Sequence, residues 1–316
     1  MKMEELFKHT FKSLRQQIEA QRTEGCRWWQ QRQGTASDFC RAMVANGYMT
    51  DSQLQQAAQR YRLGVGRDGA VIFWQIDECD LLRDGKIMHY RPDGHRDHDR
   101  KPTWASYLMR KSGRLPQYWN TDHCLFGLHL LKDYQTHPRP LPEWRGVDTS
   151  SAYTSTSKSI YAPPSQGGGG GGSLSTSKSI YAPPSQGGGG GGSLSTSKSI
   201  YAPPSQGGGG GGSVCIVEAE KTAVIMSAIR PEYLWLATGG KTELSVARLS
   251  PLQGRRIILF PDTDETGQTY RDWYAIAEAA ASVFDHPVTV SSILEQRATP
   301  AQRTAKIDIA DLIYNE

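Results

Sequence analysis

The sequence predicts an α/β domain with a mostly parallel sheet over residues 214–316, preceded by an α+β half that contains a β-meander. Three observations carry this. After residue 213 the short apolar runs VCIV, YLWLAT and RRIILF, with VTVS as a fourth, alternate with the helical segments EKTAVIMSAI, TELSVARL and QTYRDWYAIAEAAASVF. Strands that alternate with helices pair in parallel, with the helices on the sheet faces. Ahead of them, AVIFWQID and GKIMHYRPDG are rich in β-branched and aromatic residues and flank a turn expected at Arg83-Asp84-Gly85, which reads as antiparallel strands. Between the halves lies a block with no core-forming pattern.

That block, residues 155–213, is STSKSIYAPPSQGGGGGGSL repeated three times, the last copy ending at Ser213. It holds 18 of the 33 glycines and 6 of the 17 prolines, so the mean hydropathy of −0.55 understates how apolar the remainder is. Gly-Ser tracts behave as flexible coil, and 59 residues of it span roughly 40–45 Å on average. Identical copies lack the varied core positions of stacked repeats, and a natural tandem duplication and an engineered linker both fit. Too polar to bury a core, the block is expected to be dispensable for stability and activity. The expected organisation is a helical segment over 1–60, a β-rich subdomain over 61–134, a linker over 135–213 and the α/β domain over 214–316.

Within the first segment, Phe7, Phe11, Leu14 and Ile18 recur at helical spacing over residues 3–23. SDFCRAMVANGYM reads as a short helix ending near Asn46-Gly47, and Thr50 with Gln53 forms a capping-box signal for the helix DSQLQQAAQRYRL. Such a pair is most often a packing unit, with DNA reading the lesser alternative. Further on come the hydrophilic loop DGHRDHDRK, the segment TWASYLMRKSG and the apolar run CLFGLHLL.

The net charge of +4 includes Lys158, Lys178 and Lys198 of the repeats, so the rest of the chain is close to neutral. A nucleic-acid partner must therefore be argued from local basic patches. Five cysteines without CxxC or zinc-ligand spacing fit free thiols in a reducing cytoplasm. The start of the chain lacks the apolar core of a signal peptide, and no stretch has the length of a membrane span.

The chemistry is expected at the carboxyl ends of the parallel strands. Val217-Glu218-Ala219-Glu220-Lys221-Thr222-Ala223 closes VCIV, and Pro261-Asp262-Thr263-Asp264-Glu265-Thr266-Gly267 closes RRIILF. Bringing Glu218, Asp262 and Asp264 together makes a negative cleft that a hard divalent cation would neutralise. Either motif alone fits helix capping; the two together, each at a strand end, favour a metal site.

An apolar strand followed by V-E-x-E-K-T-A, a Gly pair (Gly239, Gly240) after the next strand, and an apolar strand closed by P-D-x-D-x-x-G resemble a Toprim domain, the Rossmann-like module of bacterial primases, topoisomerases and some nucleases. The resemblance covers about residues 214–314. It implies that Glu218 is the acid/base residue and that Asp262 and Asp264, with Glu218, bind magnesium or manganese, with Glu220 and Lys221 as secondary candidates. The segment KIDIADLI, Lys306 to Ile313, resembles the K-D-x-x-D segment closing primase-type Toprim domains, with Ile307 as an extra residue; it adds Asp308 and Asp311. A terminal amphipathic helix with solvated aspartates is the alternative.

The segments YRLG, GAVIFWQID, GKIMHY and CLFG-x-HLL resemble a bacterial group of primase-like proteins often linked to mobile elements. By that resemblance Lys86, Tyr90, Arg91, Arg100, Lys101 and Trp104 face template or nucleotide, cations on phosphates and aromatics on bases; an ordinary solvated sheet face is the alternative. The resemblance implies a metal-dependent, cytoplasmic nucleotidyltransferase making primers in replication of DNA or a mobile element. Its partners would be a single-stranded DNA template, nucleoside triphosphates and a replicative helicase, with no membrane. A Toprim nuclease and a non-catalytic, nucleic-acid-binding replication accessory are the competing functions. The chain departs from the primases in lacking an N-terminal Cys-x-x-Cys zinc ribbon, so no zinc is expected.

Three signals are set aside. Gly64-Val65-Gly66-Arg67-Asp68-Gly69 matches GxGxxG but precedes a strand rather than a helix. His89, His95 and His98 lie in or beside a loop whose Arg96, Arg100 and Lys101 oppose a zinc ion. A GxxxxGK[ST] motif is absent.

Overall fold

In the computed structural model, which describes residues 3–136 and 212–314, the chain opens with a 28-residue helix, α1 (Met3–Gln30). It continues past residue 23, where the apolar spacing ends, because its last turns carry Trp28 and Trp29 onto the cluster of Ile72, Trp74, Ile76 and Leu82. Trp28 stacks on Trp119 with ring centroids 4.5 Å apart. The predicted helix pair follows as α2 (Asp38–Ala45) and α3 (Asp51–Arg60). Ser37 caps α2 by accepting from the Cys40 N–H, and Thr50 with Gln53 forms the capping box of α3. Phe39, Cys40, Met43, Leu54 and Ala57 are buried, so the inner faces of this pair are used in packing.

An antiparallel sheet comes next, in the order β1 (Gly64–Val65), β2 (Val71–Ile76), β3 (Leu82–Met88) and β4 (Thr103–Trp104). The meander is as predicted, but its turn lies at Asp77–Leu81 rather than at Arg83-Asp84-Gly85. Asp77 makes that turn, its Oδ1 accepting from the N–H groups of Cys79 and Leu81, both at 2.9 Å. Asp84 and Gly85 sit inside β3. The buried Asp84 carboxylate accepts from the N–H (2.9 Å) and hydroxyl (2.5 Å) of Ser106. Gly85 lets the Trp74 ring lie against the strand, since a Cβ there would be 2.5 Å from Trp74 Cζ3. A strand glycine here marks close approach, which sequence alone reads as a turn.

After α4 (Ala105–Lys111) the chain reaches Phe126, which pairs with Ala237 at the edge of a second sheet, and then α5 (Leu131–Thr136). Beyond residue 212 the elements are β5 (Val214–Val217), α6 (Glu220–Ile229), β6 (Leu234–Ala237), α7 (Val246–Leu249), β7 (Ile257–Phe260), α8 (Gln268–Phe284) and β8 (Val288–Val290). Three short helices close the chain, α9 (Ile293–Arg297), α10 (Pro300–Ala305) and α11 (Ile309–Tyr314). All four strands are parallel, in the order β6-β5-β7-β8. Every residue of β5, β6 and β7 is buried, as expected of strands covered on both faces.

The antiparallel and parallel sheets belong to one compact unit. The Tyr61 hydroxyl donates to the Trp235 carbonyl at 2.8 Å, and its ring stacks on Phe126 at 5.1 Å. No described helix is long and apolar enough to cross a membrane.

The Pro-rich segment from 137 and the repeats through residue 211 lie outside the described residues. The chain leaves after Thr136 and returns at Gly212 beside its point of departure: the Tyr134 hydroxyl donates to the carbonyls of Ser213 (3.2 Å) and Glu232 (3.1 Å).

Two outcomes are expected from this packing. Gly85→Ala forces Trp74 to move and costs about 1–3 kcal/mol in denaturant unfolding; unchanged stability would contradict the close approach. Deleting residues 142–209 shortens the connection between Thr136 and Gly212 from 75 residues to seven. It removes about 2 kcal/mol of loop-closure entropy cost, so Tm should equal or exceed that of the full chain. A clear fall in Tm by calorimetry would show that the segment contributes to the folded state.

Candidate functional site

The strand order reverses between β5 and β7, since β5 leads to β6 on one side and β7 pairs on the other. In open α/β sheets the crevice outside the carboxyl ends of such strands is where functional groups gather. Register places Val217 opposite Phe260, so the residues that follow, Glu218 and then Pro261-Asp262, emerge at the same crevice.

Asp262 Oδ1 is buried and has no hydrogen-bond partner, an uncommon state for a buried polar atom. Burial pushes the Asp262 carboxyl well above its usual range, and the charges of Asp308, Glu218 and Asp311 push the same way. Glu218 is also raised by burial and by Asp308, against the opposing charges of Lys241, Lys86 and Lys306. Asp311 is raised by burial and by Asp308, with Lys221 opposing. Four carboxylates from three segments thus share one electrostatic neighbourhood, and four lysines surround it.

The terminal segment reaches this crevice through the backbone. Thr263 N–H donates to the Ile307 carbonyl at 3.0 Å, tying the loop after β7 to KIDIADLI. The Thr222 hydroxyl donates to Asp308 Oδ2 at 2.5 Å, and Asp308 Oδ1 accepts from the Asp311 N–H at 2.9 Å. Asp308 is buried rather than solvated.

Asp264 has a different environment. Its Oδ1 accepts from Thr266 N–H (2.9 Å), Thr266 Oγ1 (2.8 Å) and Gln268 N–H (3.0 Å). Its Oδ2 accepts from Thr269 N–H and Oγ1, both at 2.6 Å. Five donors fill the capacity of a carboxylate, and they include the free N–H groups at the start of α8. Burial opposes ionisation of Asp264, but these hydrogen bonds, led by those from Thr269, hold its carboxyl well below the usual range. Of the two acids in the P-D-x-D motif, Asp264 is the helix cap and Asp262 carries the unsatisfied oxygen.

Glu220 is buried, and its Oε2 pairs with Lys86 Nζ at 3.1 Å while its Oε1 has no hydrogen-bond partner. Lys86 also donates to the Gly239 carbonyl at 2.6 Å. This lysine from β3 therefore lies against the wall of the parallel-sheet crevice, largely out of solvent. Lys221 sits over the Tyr48 ring, 5.6 Å from its centroid.

The other residues expected at template or nucleotide divide. Tyr90 is buried between Phe39 (4.9 Å) and Phe73 (6.4 Å), a core position where no base can stack. Burial raises its phenol, as do Glu220 and Asp308. Arg91, Arg100 and Lys101 are exposed, with Arg91 paired to Asp93 at 2.9 Å and Arg100 near Asp97 at 3.8 Å. Trp104 is half-buried, faces Lys86 in strand register and stacks on His123 at 3.9 Å. Sequence reading missed Lys241 and Lys306 as neighbours of Glu218. The signal for Lys241 was present, since it follows the Gly239-Gly240 pair at the carboxyl end of a parallel strand.

Among the described residues no group of three or more His, Cys, Asp or Glu side chains is arranged to hold a metal ion. Magnesium does not require one, because it is usually held by one or two carboxylates with waters and substrate phosphates. The unpartnered Oδ1 of Asp262 beside Glu218 suits that mode of binding.

A family profile described as "Domain of unknown function (DUF6371)" matches residues 37–141 and 210–263, about half of the chain, on both sides of the repeat block. No curated protein matches. No solved structure matches either.

A raised carboxyl pKa means that folding favours the protonated form. For Asp262 the burial penalty is absent below the unfolded-state pKa of about 4 and grows as pH rises through the higher folded value. In chelator, Asp262→Asn should therefore raise Tm at pH 7–8, and the gain should shrink towards pH 4. Each 1 kcal/mol gained corresponds to about 2–4 °C at this chain size. A Tm equal to wild type at every pH would show that Asp262 is not strained.

Proposed function

The chain belongs to the DUF6371 family, and we propose that it is a primase-like nucleotidyltransferase whose parallel-sheet half is a Toprim domain. The observation that carries this reading is the pair Glu218 and Asp262 at the strand-order reversal, with Asp262 Oδ1 buried and unpartnered. A buried oxygen without a partner calls for a water, an ion or a ligand to satisfy it, and crowded acids with shifted titration cluster at functional sites.

In this reading Glu218 and Asp262 would hold magnesium or manganese, with Asp308 and Asp311 as further acids. Such an ion would supply charge neutralisation and alignment for phosphoryl transfer between a triphosphate and a primer hydroxyl. Glu218, at the end of β5, would accept or relay the proton of the attacking hydroxyl. Lys241, Lys86 and Lys306 act on Glu218 and offset the negative charge of an incoming triphosphate. Asp264 positions the loop after β7 by fixing it to α8. Single-stranded DNA is the proposed template, and a replicative helicase the proposed partner.

One feature favours a second reading. Asp308 and Asp311 enlarge the acidic set beyond Glu218 and Asp262, and a metal-dependent nuclease would use such acids to hold and activate water.

The test is a primer-synthesis assay on single-stranded DNA with labelled ribonucleotides and deoxyribonucleotides and magnesium or manganese. Wild type is expected to make template-dependent oligonucleotides, and Glu218→Gln to lose about 10²–10⁴-fold, the range for a general acid or base. Millimolar magnesium should raise the Tm of wild type and leave that of Asp262→Asn unchanged. Shortened DNA in place of new strands would establish the nuclease. No product and no magnesium shift, with DNA binding intact, would point to an accessory binder or to an enzyme that needs its partner.

A further inference from the structure

Net charge leaves no nucleic-acid footprint on this chain, but charge is unevenly distributed along it. From Arg100 to Thr121 there are five basic residues and no acidic one. Arg110, Lys111 and Arg114 of this stretch are exposed, and none has an ion-pair partner among the described residues. Beside them Tyr107 is 57% exposed and Tyr118 44% exposed. Some exposed cations elsewhere are neutralised locally, as in Arg41 with Asp38 and Arg91 with Asp93, but here three follow within five residues with no acidic residue in the stretch.

The stretch is anchored at both ends. α4 turns Ala105 and Ser106 inward, and Ser106 is bound to the buried Asp84. Arg114 N–H donates to the Met109 carbonyl at 2.9 Å, closing the turn at Gly113, where φ is +67°. Trp119 anchors the far end, donating to the Arg83 carbonyl at 3.0 Å and stacking on Trp28. Unpaired cations and exposed phenol rings are thus held on a fixed base.

We propose that the exposed stretch carrying Tyr107, Arg110, Lys111, Arg114 and Tyr118 binds single-stranded nucleic acid. Cations track the phosphates and aromatic rings stack on bases, a combination that suits single strands because their base faces are accessible. A duplex hides those faces and would use the cations alone. The stretch is joined to the acidic crevice through β4. α4 begins directly after Trp104, and the strand partner of Trp104 is Lys86, whose Nζ meets Glu220 and Gly239. The surface deepens the nucleotidyltransferase reading and rests on it only for the direction in which the strand runs.

The experiment is fluorescence anisotropy of the full chain with a labelled 20-mer of oligodeoxythymidylate, in chelator, across a salt series. The oligomer is expected to bind more tightly than a duplex of equal length. Replacing Arg110, Lys111 and Arg114 together by Gln should flatten the slope of log K against log salt by about 2, from about 0.7 per phosphate contact. Tyr107→Ala and Tyr118→Ala should each weaken binding about tenfold with the slope unchanged, while Tyr274→Ala on α8 should have no effect. Calorimetry on each variant separates lost binding from lost fold. Wild-type binding by the patch variants overturns the surface, as does equal binding of duplex with no effect of the tyrosines. Because no metal is present, either result is independent of whether Glu218→Gln makes primers, so the crevice and the surface fail separately.

Discussion

The parallel pairing of β5 with β7 is the constraint on which the rest of the molecule depends. It sets Val217 against Phe260, and both strands end at the same level. Pro261 then removes a backbone donor, so the ladder cannot extend, and the chain turns outward with Asp262 at its first free position. Because β6 lies on the other side of β5, no crossing helix fills the space between these two strand ends. Topology brings Glu218 and Asp262 to that space, and among the described residues no hydrogen bond joins the two side chains.

Collecting acids there is costly, and the surrounding structure limits the cost unevenly. Asp264 is fully satisfied by the start of α8, and Asp308 by Thr222 and the first turn of α11. Glu220 has Lys86 for one oxygen. Asp262 has neither a donor nor an adjacent cation strong enough to bring its carboxyl down, since Lys221 is outweighed by burial and three acids. The contrast lies within one motif: two aspartates two residues apart, one held well below the usual range and one pushed well above it. The lowered member caps α8, a structural role, so the raised Asp262 is the one whose environment the fold leaves unexplained.

Much of this was legible in the sequence, for identifiable reasons. The alternation of short apolar runs with helical segments predicted all four parallel strands, and α6 and α8 span the predicted segments residue for residue. Glu218 and Asp262 were legible because each follows a strand. What was hidden depends on partners distant in the chain. Asp84-Gly85 carries the dipeptide of a hairpin turn, yet Ser106 and Trp74 hold it inside β3. Tyr90 was expected at a nucleic-acid face, but strand alternation says nothing about which sheet face is covered, and Phe39 and Phe73 bury it. P-D-x-D likewise does not reveal which acid caps the following helix; that follows from where Thr266 and Thr269 point.

The interruption between the halves bears on how the crevice is held. Glu218 feels Lys86 from the antiparallel sheet, Tyr61 reaches the backbone of β6, and Phe126 pairs with its outer edge. The crevice is therefore assembled by contacts between halves that are far apart in the chain, and the connection between them does not set its geometry. The cost of closing a connection grows only with the logarithm of its length. A long insertion between Tyr134 and Ser213, two points already in hydrogen-bond contact, leaves each of those contacts in place. The family match stops before the repeats and resumes within the last four residues of the final copy, so the matched residues are those of the packed unit on either side of the interruption.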